Sequence, residues 1–419
     1  MVEIRKPIAV SEAVRRALAD VEPLGAEKVA LSESDGRVLA EDVRADHDEP
    51  PFDRSPYDGF ALRAEDTAGS GPAELKVIEE IAAGDVGRKR IGAAEAARIM
   101  TGAPIPEGAD AVVMMEQVEE AKRGDGEPYI LVPDTYRAGD NISRQGEDTA
   151  KGTVQVERGT PVTPGVKAVL ATFGYAEVEV ARRPVVGIFA TGTELLDVDE
   201  EIVAGKIRNS NAYTLVSQVH QTGAKARYYG ILKDDFDLCY EAVRNALEEV
   251  DVLVTTGGAS VGDYDYLQEI FRKLDADICF NKVAMRPGSV TTVAKWQGKT
   301  LFALSGNPAA CFVGFELFTR PVLKTMLGAA RPYLKKTEAV LGRDFPKANP
   351  FTRFTRAKVD FQAGKLHAKP IGLDKSNAVT PLAHANALIV LPGGTEGYER
   401  DSIVNVLLLN GEDTQWTVN

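Results

Sequence analysis

The run that follows Pro184 constrains this chain most. Strand-like VVGIFA leads to TGTELL, and NSNAYTLVSQVHQTG has helical spacing and ends at Gly223. ARYYGIL is strand-like again, and DDFDLCYEAVRNALEEV is an acid-led helix with Phe236, Tyr240, Val243 and Leu247 on one face. VDVLVTT runs into GGASVGDYD, YDYLQEIFRKL is a helix, and KTLFALSGNP leads into the long apolar helix AACFVGFELFTRPVLKTML, closed by Gly328. Nearly continuous apolar strands alternating with helices predict a parallel sheet covered on both faces. Residues 184–328 are therefore expected to form a doubly wound α/β domain.

The flanking regions have a different texture. Ser11 is the expected N-cap of a helix with Val14, Leu18 and Val21 on one face, ending before Pro23. AEKVALSESDGRVLAEDVRA alternates around the turn Ser34-Asp35-Gly36, as strands do. Residues 47–138 read as a β-rich insertion of short runs punctuated by Gly and Pro, with GAAEAARIMTG as its one short helix. Residues 139–183 return to β texture, with a helix near 164–173, and are expected to rejoin residues 1–46 as a discontinuous N-terminal domain. The last stretch, 329–419, reads as short strands of a small all-β domain. The expected fold class is thus multidomain: α/β plus β.

A length of 419 residues suits several cores at roughly 100–200 residues per domain. The net charge of −13 argues against non-specific binding to nucleic acid or to an anionic membrane. It also means that any site for an anion must gather its own Lys and Arg, or a divalent cation. Cys239, Cys279 and Cys311 are widely spaced, form no CxxC, and are expected in the core; the four histidines form no ligand spacing. No run approaches the ~18 apolar residues of a membrane span, and the first residues lack a signal-peptide core. The expected location is the cytoplasm.

In an open α/β sheet, ligands bind beyond the carboxyl ends of the strands, where strand order reverses. Three loops leave strands at that edge: ATGTEL (190–195), TTGGASVGDYD (255–265) and LSGNPAA (304–310). Gly257 and Gly258, with Gly262 and the hydroxyl of Ser260, suit either a tight turn or a nest of N–H groups that attracts phosphate. Ser305, Gly306, Asn307 and Pro308 repeat that logic on a neighbouring strand. Carboxylates beside a phosphate need a cation between them, and Mg²⁺ takes one or two carboxylates plus phosphate oxygens. Glu194, Asp234 and Asp265 are therefore candidate Mg²⁺ ligands, although Asp234 and Asp235 also suit helix capping. Lys282 and Arg286, on a loop turned by Pro287-Gly288, are candidate anion holders. In TRFTRAK, strand alternation puts Arg356 and Lys358 on one face and Arg353 on the other.

SPYDGFA, MTGAPIPEGADAVVMME, NISRQGED, ATGTEL, TTGGASVGDYD, MRPGSV and ALSGNPAACF follow one another at domain-scale spacing. Together they resemble the molybdopterin molybdenumtransferase family, which includes bacterial MoeA and the E domain of gephyrin. The resemblance implies an enzyme that inserts molybdenum from molybdate into adenylylated molybdopterin, releases AMP and uses Mg²⁺. It implies an elongated homodimer of four-domain subunits whose site lies between one subunit's α/β domain and the partner's N-terminal region. A molybdopterin adenylyltransferase is the implied supplier of substrate. By this resemblance Asp58, Asp148, Glu194, Asp234 and Asp265 are functional acids and Thr101 a functional threonine. Lys282 and Arg286 take the paired basic positions, where lysine is common at the second, and Arg356 with Ser376 comes from the last domain. Read without the resemblance, Asp58-Gly59 is a turn and Thr101 a helix end. The alternatives are a molybdopterin adenylyltransferase, a non-catalytic scaffold of the gephyrin E-domain type, and a pyrophosphatase using the same nest.

Overall fold

The structure, a computed structural model, describes residues 6–124, 126–232, 235–257, 266–347 and 349–409. The chain divides into two compact units. One comprises Met1–Glu41, Arg158–Pro164 and Glu177–Asn419; the other comprises Asp42–Glu157 and Gly165–Ala176.

The first unit is built on a six-stranded sheet. Its strands lie in the order Lys225–Leu232, Val185–Thr191, Val252–Thr256, Lys299–Leu304, Thr292–Trp296, Asp277–Phe280. The first four are parallel, as the apolar strand runs predict. The last two add an antiparallel ribbon, so the sheet is mixed rather than wholly parallel. The reason is local: Gln297 and Gly298 both take positive φ (46° and 78°) between Trp296 and Lys299, which are paired. A two-residue turn of that kind closes a hairpin. Chain direction across the sheet reverses between Val185–Thr191 and Val252–Thr256. From the former the chain goes one way through the helix Ser210–Thr222, then crosses to the other side through Phe236–Glu249.

Each face of this sheet has its own core. Val186, Ile188, Val252 and Val254 pack with Leu215, Val219, Phe315, Phe318 and Leu323. Phe189 and Leu253 pack on the other face with Val243, Leu247, Ile270 and Phe271. The N-terminal helix Val10–Leu18 joins the first core through Val10, Ala13, Val14 and Ala17. It starts at Val10, so Ser11 lies inside the first turn and is not the N-cap; Ala9 holds that position without a side-chain cap. The long C-terminal helix runs as Pro308–Gly314, a π-helical turn Phe315–Thr319, and Arg320–Met326. Pro321 has no N–H to give the preceding turn, and the ladder widens just before it.

The strand Ala26–Ala30 pairs antiparallel with Glu177–Ala181, which rejoins two segments far apart in sequence. Residues 335–408 form a closed barrel. Thr352–Gln362 pairs with both Lys365–Pro370 and Ala387–Leu391, and the circuit is completed through Lys335–Leu341 and Ile403–Leu408. The short strand Met285–Arg286 pairs in parallel with the first two residues of Thr352–Gln362.

The second unit holds another six-stranded sheet, in the order Ala111–Met114, Gly59–Leu62, Glu95–Ile99, Ala73–Ile81, Pro128–Val132, Glu119–Lys122. This unit extends beyond the 47–138 insertion, because Val43–Arg44 pairs with Val154–Val156 and the helix Pro164–Thr172 belongs to it from Gly165 onward. GAAEAARIMTG is not a helix: Glu95–Ile99 is a strand between Gly59–Leu62 and Ala73–Ile81. Ala96, Ala97 and Ile99 are fully buried there, so packing from both faces overrides the helix propensity of alanine. No helix of the described residues is long and apolar enough to cross a membrane.

Candidate active site

The carboxyl ends of three parallel strands are tied into one floor. Gly257 has φ +96°, and a Cβ there would sit 2.1 Å from the carbonyl oxygen of Thr191. Only glycine lets the end of Val252–Thr256 pass that close to the end of Val185–Thr191. Gly257 N–H donates to Leu304 O (3.2 Å), and a Cβ on Gly306 would lie 3.3 Å from Gly257 Cα. Asn211, buried at the start of the helix Ser210–Thr222, donates through Nδ2 to Thr256 Oγ1 and to Gly306 O, both at 2.8 Å. Thr256 Oγ1 in turn donates to Ser305 O (3.2 Å), and Ser305 Oγ accepts from Asn307 N–H (3.2 Å). The helix itself is capped by Asn209, whose side chain accepts from Ala212 N–H.

Above this floor opens a cavity of about 1130 Å³. Glu194, Gly257 and Arg286 line it from the α/β side, followed by the four consecutive residues Ser305, Gly306, Asn307 and Pro308. The barrel adds Arg356 and Ser376. Five basic side chains (Arg208, Arg286, Arg353, Arg356, Lys375) face two carboxylates (Glu194, Asp374) around it. A chain of net charge −13 thus concentrates positive charge here, which is what an anion-binding cleft requires.

The loop 371–379 supplies the far wall. Ala309 N–H donates to Ser376 O (3.0 Å), which docks this loop on the start of the Pro308 helix. Arg356 is 3% exposed and donates to the carbonyls of Leu373, Ala378 and Lys375 (2.9, 3.2 and 3.2 Å). Burial lowers its pKa and nearby Asp374 opposes that shift. Arg353 pairs with the same carboxylate, Asp374. Strand alternation therefore misplaces Arg353: it lines the cavity with Arg356 rather than facing away from it. Alternation fixes the direction of each Cβ, whereas a guanidinium at the end of a flexible stem reaches around a strand's first residues.

The other expected site residues lie elsewhere. Lys282 does not line the cavity; it is half-buried, and its carbonyl accepts from Ile8 N–H (3.1 Å). Asp234, Gly258, Ser260, Gly262 and Asp265 lie outside the described residues. Of the expected Mg²⁺ ligands, Glu194 alone lies among the described residues, exposed on the cavity wall, and among those residues no three His, Cys, Asp or Glu side chains converge as a metal site. Cys311 is buried one residue beyond cavity-lining Ala310, and burial pushes its thiol up to about 12. Cys239 is buried as expected, whereas Cys279 is only partly so.

In the second unit Asp58 and Thr101 meet. Asp58 Oδ1 accepts from Thr101 N–H (2.7 Å) and from its hydroxyl (2.8 Å). These bonds, the backbone one foremost, hold the Asp58 carboxyl below its ordinary value, with Arg98 adding to the effect. Asp58 closes a bend, but Gly59 is already in a strand, where a Cβ would overlap Val113 O at 1.9 Å. Thr101 follows a strand rather than a helix. Asp148 is exposed, and its N–H donates to Glu49 O (3.0 Å). Sequence reasoning passed over Asn211, Arg208 and Asp374, and set Arg353 away from the cavity it lines. Asn211 had a signal, an asparagine pair opening a helix directly after a strand-end loop.

Comparison with known proteins agrees along the chain. Residues 8–174 match the family model described as the MoeA N-terminal region (domain I and II). Residues 187–325 match the probable molybdopterin binding domain, and 338–409 the MoeA C-terminal region (domain IV). A molybdopterin molybdenumtransferase of Bacillus subtilis (strain 168) is 55% identical over 100% of this chain and 98% of its own length. One of Staphylococcus aureus (strain MSSA476) is 47% identical over 98% of each. Among solved structures, the molybdopterin biosynthesis moeA protein of Pyrococcus horikoshii OT3 has a TM-score of 0.82 at 33% identity, covering 96% of this chain and 100% of that one. With all three family regions matched in order and relatives of 47–55% identity along nearly its whole length, the chain belongs to the molybdopterin molybdenumtransferase family of molybdenum cofactor biosynthesis.

Proposed function

We propose that this protein inserts molybdenum from molybdate into adenylylated molybdopterin, with release of AMP and dependence on Mg²⁺. The observation that carries the reading is the cationic cleft at the reversal of strand order. Both substrates are anionic, and a cleft that gathers five basic side chains in an acidic chain suits them. The loop Ser305–Pro308 can hold phosphate oxygens. Arg286 and its basic neighbours offset the charge of molybdate and of the anhydride. The sulfurs that take molybdenum would be the substrate's own dithiolene pair, and Cys311, next to cavity-lining Ala310, is buried.

Glu194, exposed on the cavity wall, would share in holding Mg²⁺ with Asp234 and Asp265, since a hard cation suits carboxylate and phosphate oxygens. When bound, the ion supplies Lewis-acid polarisation of the phosphoanhydride. One P–O bond of that anhydride then breaks, with water supplying the oxygen that replaces AMP on phosphorus, while molybdate exchanges one oxo group for the two dithiolene sulfurs and that oxygen leaves as water with the two thiol protons. We further propose a cytoplasmic homodimer in which the partner's N-terminal region, bearing the Asp58–Thr101 pair and Asp148, completes the cleft, and to which a molybdopterin adenylyltransferase delivers substrate.

The test is incubation of the purified protein with adenylylated molybdopterin, molybdate and Mg²⁺. AMP should appear in step with protein-bound molybdenum, and both should fail in Glu194→Gln. AMP release that needs no molybdate would point to a pyrophosphatase instead. Light scattering checks the dimer.

A further inference from the structure

We propose that Arg353 is a specificity-determining residue of this cleft, forming with Arg286 a two-guanidinium fork for a tetrahedral oxyanion, and that Asp374 is its positioning residue. This rests on the reading of the cleft as an anion site. Arg286 and Arg353 are direct register partners on two parallel strands, Met285–Arg286 and Thr352–Gln362. Both line the cavity. Like charges set directly opposite on neighbouring strands destabilise a sheet unless something neutralises them. Asp374 answers one of the two charges by pairing with Arg353. A bound oxyanion answers the other.

The setting of Arg353 supports a recognition role. Asp374 holds Nη2, and the guanidinium carbon lies 5.6 Å from the ring centroid of Phe345. A planar fork fixed from two sides is pre-organised for bidentate contact with an oxyanion. Arg356 differs. It is buried and its Nη atoms serve three carbonyls of the 373–378 stretch, so it acts through the loop it pins. Asp374 stands 3.9 Å from Arg356 and is thus shared by both arginines. A lone carboxylate in an anion cleft would repel the ligand; one flanked by two arginines fixes their geometry instead.

The full-length protein and its variants are titrated calorimetrically with inorganic molybdate, and with sulfate as a second tetrahedral oxyanion. Arg353→Gln should weaken molybdate binding by about tenfold or more, the loss expected for a charged hydrogen-bond donor. Arg353→Lys, which keeps the charge and the fold, should recover only part of it, because a point charge replaces a fork. Asp374→Asn discriminates further. Simple electrostatics predicts tighter anion binding once a negative charge is gone, whereas loss of positioning predicts weaker binding. We expect weaker binding, and no added loss in the Arg353→Gln/Asp374→Asn double variant. In turnover, KM for molybdate should rise in Arg353→Lys with kcat little changed. Unchanged affinity in both Arg353 variants, tighter binding in Asp374→Asn, or no oxyanion binding by the unmodified protein overturns the inference. Binding that depends on Arg353, in a protein that releases no AMP, would instead overturn the proposed reaction and leave the fork standing.

Discussion

Gly257 and Gly306 stand side by side on the cavity floor, yet they carry different demands. Gly257 needs both a left-handed backbone and the missing Cβ, since φ is +96° and Thr191 O would be 2.1 Å away. Gly306 needs only a few tenths of an ångström, with Gly257 Cα at 3.3 Å. Gly257→Ala should therefore cost roughly 1–3 kcal/mol in denaturant unfolding, the range for a strained backbone position, and Gly306→Ala clearly less. Equal costs would show that the strand ends are not locked together as described. Asp58 gives a pH prediction. Its pKa is depressed in the folded state, so the stabilisation it provides is complete above its unfolded value and disappears as pH falls through the folded one. Thr101→Ala removes the hydroxyl bond and leaves the backbone one. The Asp58 titration followed by NMR should move upward part of the way towards the ordinary carboxylate value. The carboxylate and the threonine were singled out by family resemblance; only the fold shows that they touch.

At the scale of elements, the long apolar segments were legible and the short ambiguous ones were not. The helix Ser210–Thr222 ends at Gly223 as expected, with φ of 92° there, because a glycine after a periodic run is a strong stop signal. Glu95–Ile99 went the other way. Its alanines favour a helix in isolation, but their small size suits a strand packed on both faces. Ala97→Leu should accordingly destabilise the protein by about 1–3 kcal/mol through overpacking, measured by urea unfolding. A surface helix would accept leucine there at almost no cost, so a neutral result would contradict the buried strand. The hairpin at Gln297–Gly298 was also missed, since glutamine carries no preference for the positive φ it adopts. Arg353 shows the limit of strand periodicity, which assigns a face to a Cβ but not to a guanidinium several bonds away.

At the scale of the whole molecule, charge is distributed against its own average. A net −13 coexists with a cleft whose wall holds five basic side chains and two carboxylates. Affinity for molybdate or AMP should fall steadily as NaCl is raised from low concentration, because the Debye length shrinks to about 8 Å near 0.15 M. Calorimetric titration across that range checks it, and salt-independent affinity would mean that these side chains do not act on the ligand as charges. The cleft also depends on segments far apart in the chain. Glu194, Gly257 and Ser305 come from three strand ends of one sheet, Arg286 from a strand added to the barrel, and Ser376 from a barrel loop.

By itself, the sequence determined the α/β class, the three strand-end loops and the need for a locally cationic site. Those conclusions rest on periodicity, glycine chemistry and net charge, which are properties of consecutive residues or of simple sums. Only the tertiary structure decided that Glu95–Ile99 is a strand, that Arg353 faces the cleft beside Arg286, and that Arg356 spends its donors on a loop. Each of those depends on what lies across from a residue in space, and burial and pairing between distant segments then outweigh local preference.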